Sequence, residues 1–304
     1  MAAPIVPRRL SDPTGQTRRI AGAENEFARR LKLITRGYID ALNTITFEEI
    51  TVNAQVYSFN ISGEELSRLY DLTGQLVDDI LLDGGEGQLW FSLDYVVPAY
   101  RQGTGQTYSN LSAQSRAYVA TRPTLTDLFL SAPYQKRLGL LLAREFEEMK
   151  GLSATVKKNM AFVLGQGLAT GIGPRQIAKQ LTEQAGVHEV ARANRIARTE
   201  VNNALRTARM DEADQATADL GIQLKMMHLS ALSPTTRPDH AARHGNVYTV
   251  QAVRVWWASG ANSINCKCTT TEVIVDANGN PVNPTFVAKV KAQGTRYFEA
   301  LEAD

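Results

Sequence analysis

Apolar residues recur at helical spacing through the first two thirds of the chain and alternate in several later stretches. Phe27, Leu31, Ile34, Tyr38, Leu42 and Ile45 step by three and four, which predicts a helix over residues 21–45. Arg29, Arg30, Lys32 and Arg36 fill its other faces. The stretch "QVYSFNIS" alternates Tyr57, Phe59 and Ile61 and reads as a strand. Ser62 and Glu65 then have capping-box spacing, so a helix starts there and stops near Gly84-Gly85. A third helix is expected over residues 88–100, kinked or restarted at Pro98. Residues 103–126 are polar and rich in Gly, Ser and Thr, and read as a loop with one short helix. Helices over residues 133–149 and 153–170 should follow, with another from Pro174 to just before Gly186. A long helix over residues 189–220 closes at Gly221.

Beyond Gly221 the pattern changes. "IQLKMMHLS" alternates as a strand does, and "SPTTRPDHAARHG" reads as a short helix with Pro238 near its first position. "NVYTVQAVRVWWASG" reads as one or two short strands. The β-branched run after Cys268 predicts a strand that ends in a turn at "DANGNP". A weakly amphipathic helix follows from about residue 285. The fold class is therefore α+β: a mainly helical N-terminal region and a long helix leading into a small C-terminal α+β module. The expected division is an extended basic arm over 1–20, a helical domain over 21–187, a C-terminal domain over 188–276 and a tail over 277–304.

Charge adds two features. The 304 residues carry a formal net charge of only +2, which argues against a bulk nucleic-acid coat. Yet Arg8, Arg9, Arg18 and Arg19 face only Asp12 among the first twenty residues, where Pro4, Pro7, Pro13 and Gly15 also lie. That composition predicts a mobile arm for an acidic partner or DNA. On the long helix, Arg195, Arg198, Asn202, Arg206 and Arg209 form one stripe. The stripe reads as a solvated face with internal partners or as a contact surface for an acidic protein or DNA. No apolar run reaches membrane-spanning length, and the N-terminus lacks a signal-peptide core. A soluble protein made in a reducing cytoplasm is expected, with no membrane partner.

Catalytic signatures are missing. There is no P-loop and no nucleophile elbow, and "HEVAR" has Arg192 where a zinc protease needs its second histidine. The expectation is a chain that is not an enzyme. One constellation remains: His240, His244, Cys266 and Cys268, with the histidines one helical turn apart and the cysteines separated by one residue. In a strand such cysteines share a face with Cα atoms roughly 7 Å apart, at or beyond disulfide reach. Two thiolates and two imidazoles suit tetrahedral zinc. If His244 is not a ligand, an open position remains, as in catalytic sites. The other reading is metal-free packing of thiols against imidazole. No cofactor is required, and a structural zinc is a candidate.

The ordered segments "RIARTE", "TRPDHAARHG" and "NCKC" resemble the phage Mu F-like minor head protein family, the head morphogenesis proteins of tailed phages. The resemblance covers roughly residues 192–275. It rests on Arg198, Thr199 and Glu200; on Thr236, Arg237, His240 and Gly245; and on Asn265, Cys266 and Cys268. Lys267 and Ile264 stand where arginine and proline are common, and Ser233, Pro234 and Thr235 replace an Asp-x-Arg. His244 lies outside the family pattern. The resemblance implies a minor capsid protein of the virion head, associated with the portal vertex, partnered by the portal and other head proteins, and packaged and ejected with DNA. The alternatives are a nucleic-acid-binding protein acting near the portal and a metal-dependent hydrolase using the His/Cys cluster.

Overall fold

The computed structural model describes residues 2–7, 10–51, 56–122 and 124–303. The chain forms two compact units, each assembled from separated stretches. One comprises residues 21–94 and 140–197, the other residues 1–20, 95–139 and 198–304.

In chain order the elements begin with α1 (Thr17–Asn43), β1 (Thr46–Thr51), β2 (Val56–Asn60), α2 (Gly63–Leu81) and α3 (Gly85–Gln88). A π-helical turn at Ser92–Val96 leads into α4 (Val97–Gln114), α5 (Arg116–Thr121), α6 (Leu125–Leu130), α7 (Ala132–Thr170) and α8 (Pro174–Glu183). A second π-helical turn, Gln184–Glu189, runs straight into α9 (Val190–Leu220). The rest is β3 (Leu224–Leu229), α10 (Pro238–Ala242), β4 (Val247–Tyr248), α11 (Val250–Ala258), β5 (Thr269–Ile274) and α12 (Pro284–Ala303).

The helical unit follows its apolar spacing. Phe27, Leu31, Ile34, Tyr38 and Leu42 are buried along α1, and Phe27 meets Trp90 edge-on at 4.9 Å. The Ser62 capping box forms: Ser62 Oγ accepts from the Glu65 amide, and the Glu65 carboxylate accepts from the Ser62 amide at 2.8 Å. The hairpin of β1 and β2 is antiparallel. The unit's buried Glu189 accepts from Asn159 and Gln184, each at 2.8 Å.

The other unit is built on an antiparallel sheet ordered β4-β3-β5. Its central strand is buried on both faces. Met226 joins a cluster with Met210, Val253, Trp257, Cys266 and Cys268. Met227 and Leu229 point the other way, to Val273 and to Val290 of α12. Helix α4 approaches α9 so closely that a Cβ on Gly103 would lie 2.3 Å from the Leu205 carbonyl oxygen. Only glycine permits that approach.

Several expectations are corrected. Residues 103–114 are helix, because α4 runs on to Gln114. Its buried face is polar, and Thr107 and Asn110 bond to the Glu272 carboxylate, each at 2.7 Å, so no apolar stripe marks it. The two helices expected over 133–170 are one, since Gly151 sits in open space within α7 and a single interior glycine weakens a helix by only about 1 kcal/mol. "VQAVRVWWA" is helical: Thr249 caps α11 by accepting from the Ala252 amide, and Val250, Val253 and Trp257 line its buried face. The strand after the cysteines starts only at Thr269.

The linear division is replaced as well. No loop separates α8 from α9, and the division between the two units falls within α9, between residues 197 and 198. Residues 2–7 and 10–20 are not a free arm. The Ile5 amide donates to Asn110 Oδ1 at 2.6 Å, its carbonyl accepts from Thr271 at 2.8 Å, and Pro4, Thr14 and Gln16 are buried. Nor is the C-terminal stretch a detached tail, because α12 covers one face of the sheet.

Candidate functional site

The cysteines lie in a loop between α11 and β5 that two arginines hold by its carbonyl oxygens. Arg206 on α9 donates to Cys266 O at 3.1 Å, Cys268 O at 3.3 Å and Ser263 O at 3.4 Å, and also to Asn203. Arg237 donates to Ala261 O at 2.7 Å, Asn262 O at 3.1 Å and Ile264 O at 3.2 Å. Asn265 takes φ +53, a left-handed conformation that asparagine tolerates, and its amide donates to Thr199 Oγ1 at 3.2 Å. Thr236 Oγ1 accepts from the Ser233 amide at 2.9 Å and shapes the turn before α10. Gly245 closes the α10 segment at φ +74, where a Cβ would lie 2.4 Å from the Lys291 Cα on α12.

Within this frame α10 turns His240 inward. Its Nδ1 lies 3.4 Å from Cys266 Sγ and 3.5 Å from Cys268 Sγ. All three side chains are buried, and their ligand atoms lie within 4.8 Å of one another. Cys268 Sγ also contacts Ser230 Oγ at 3.6 Å, and both thiols are free of disulfide. The other imidazole nitrogen, Nε2, has Asp239 as its acidic neighbour at 3.9 Å, beyond hydrogen-bond reach. Trp256 packs edge-on against His240 at 4.6 Å, and Arg206 lies 4.7 Å from the Trp257 ring.

The electrostatics follow from crowding. The neighbouring Cys268, helped by His240 and Arg206, holds Cys266 well below the ordinary thiol range, while Cys266 and burial push Cys268 well above it. The pair therefore gives up one proton readily and the second with difficulty. Burial lowers Arg206 from its ordinary value, opposed by the cysteines and Glu200. Burial also lowers His228 to about 3, so this histidine is neutral near pH 7.

His244 is not brought to the cysteines. Its Nδ1 accepts from the Ser230 amide at 3.0 Å, and its Nε2 faces Gln293 Oε1 at 3.3 Å. His244 is not on the helix with His240, because α10 ends at Ala242 and the turn that follows carries His244 toward Gln293 of α12.

The arginine stripe divides. Arg195 and Arg198 are exposed, whereas Asn202, Arg206 and Arg209 are buried. Arg209 pairs with Glu272 at 2.8 Å. Buried Arg206 and Arg209 are thus internal supports and not partner or DNA contacts. Arg18 is exposed in the first turn of α1, and Arg19 bonds to Gln16 and to Gln102. Arg8 and Arg9 lie outside the described residues. Sequence reasoning missed Ser230, Asn203 and Trp256, because each reaches the cluster from a different element.

Residues 158–271 match the family described as Phage Mu protein F like protein. This stretch of the chain is Mu F-like. Neither curated proteins nor solved structures give a match. The match implies a phage head morphogenesis protein and suggests other head proteins as partners. Among the described residues no helix is long and apolar enough to cross a membrane. The residues that carried the resemblance gather on one structure: Thr199, Thr236, Arg237, Asn265 and the Cys-x-Cys pair shape or hold the Mu F-like loop, and Gly245 seats α10 against α12.

Proposed function

We propose that the chain is a minor structural protein of a tailed-phage head, present in few copies at the portal vertex, where it acts in head morphogenesis. In this reading it is packaged with the genome and leaves with it. The match over residues 158–271 carries the reading. A structural role draws support from Thr199, Thr236 and Arg237 of the family motif, whose side chains bind the chain's own backbone. A DNA-binding role loses Arg206 and Arg209, whose guanidinium groups are spent internally.

Quantitative mass spectrometry of purified mature heads, with chemical crosslinking, tests the proposal. The expected result is a copy number far below that of the major capsid protein and crosslinks to the portal. Presence at capsid stoichiometry, or only in precursor heads, would overturn it.

A further inference from the structure

The geometry points to a zinc site with three protein ligands, His240 Nδ1, Cys266 Sγ and Cys268 Sγ, and a fourth position open to a small polar cavity. Three observations carry this. The first is spacing. Donors around tetrahedral zinc, with Zn–S near 2.3 Å and Zn–N near 2.0–2.1 Å, stand roughly 3.5–3.8 Å apart. The imidazole nitrogen lies 3.4 and 3.5 Å from the two sulfurs, so little movement is needed to admit an ion. The second is chemistry. Two thiolates and an imidazole favour zinc over the hard, oxygen-seeking cations. The buried cluster offers its Nδ1 toward the sulfurs, while Nε2 lies on the Asp239 side. Metal-bound histidines commonly present their second nitrogen to such a group.

The third observation separates this site from the four-ligand centre expected from the spacing of the histidines. His244 is committed to the Ser230 amide, so it supplies no fourth donor. In its place is a cavity of about 70 Å3 bordered by the three donors and by Thr236, Arg237 and Lys267. That volume holds about two waters, since each takes roughly 30 Å3 of liquid. The fourth ligand is therefore water or a small anion. Arg237 and Lys267 favour the anion, because zinc with two thiolates and a neutral imidazole carries no net charge. A cavity of this size admits no larger substrate. The ion ties α10 to the segment entering β5, and the two cysteines release their remaining protons to solvent on binding.

The test uses the full chain expressed with zinc supplied, and it does not depend on a role at the portal. Elemental analysis should find one zinc per chain. Cys266→Ser and Cys268→Ser should each lose it, and His244→Ala should keep it. The cobalt-substituted chain should show thiolate-to-cobalt charge-transfer bands of a tetrahedral centre, and azide should shift its visible spectrum. Zinc well below one per chain in the parent protein overturns the site whatever the variants do. Retention of zinc by either cysteine variant overturns the ligand set. Loss of zinc from folded His244→Ala, or a cobalt spectrum that azide leaves unchanged, overturns the open fourth position.

Discussion

Arg206 and Arg209 lie one turn apart on α9 and serve two unlike buried clusters. Arg209 grips Glu272 with two bonds, Nε to Oε1 at 3.0 Å and Nη2 to Oε2 at 2.8 Å. Thr107 and Asn110 complete the carboxylate's partners. Burial alone would raise Glu272, but Arg209 and these hydrogen bonds outweigh it and hold the carboxyl below its ordinary range. That cluster balances its charge and meets its hydrogen-bonding needs. Arg206, by contrast, binds carbonyl oxygens, and the sulfurs beyond them make only long contacts with one imidazole. The first arrangement is closed and locks a strand. The second holds a loop around a group of donors that still has capacity for a ligand. Buried polarity alone does not mark a binding site; incomplete satisfaction does.

The largest effect is expected at the closed cluster. Glu272→Ala strands a buried guanidinium and should destabilise the chain by about 3–5 kcal/mol in denaturant unfolding. A change under about 1 kcal/mol would show that water reaches Arg209. Arg206→Met comes next. It leaves loop carbonyls without a donor and should lower stability by about 2–4 kcal/mol. If it matches Glu272→Ala, the distinction between charge pair and loop clamp fails.

Acid unfolding sharpens the comparison. His228 has a folded pKa depressed by burial from 6.5 to about 3, so between those values the unfolded chain binds the proton more readily. Its contribution to stability is complete above pH 6.5 and is lost as the pH falls, by about 2 kcal/mol at pH 5. Glu272 has the same sign in a lower window, below the ordinary carboxylate range. A His228→Phe chain should therefore lose less stability than the parent between pH 7 and pH 5. Equal losses would place the acid sensitivity elsewhere. The smallest effect is expected in the helical unit. Ser62→Ala removes the cap of α2 and should lower stability by about 1 kcal/mol, with zinc content unchanged.

Much of the architecture was legible in the chain. Helix α1, the capped start of α2 and the long α9 follow from periodic apolar residues and local capping chemistry. Helix α11 was legible too, since Val250, Val253 and Trp257 have helical spacing, but the β-branched content favoured strands. Helix α4 was hidden because its inward face is polar.

The sequence by itself determined the Mu F-like character, the α+β class and the candidacy of His240, Cys266 and Cys268, because these depend on residue identity and near-neighbour spacing. Only the tertiary structure decided that Arg206 and Arg209 face inward, that His244 turns to Ser230, and that the N-terminal stretch lies along α4 and β5. Each of those outcomes depends on a partner far away in sequence: Ile5 bonds to Thr271, Arg206 to Cys266 and Arg209 to Glu272. A polar side chain has the same local preferences whether water or a buried acceptor satisfies it. Which one does so is settled by the packing that brings the acceptor near.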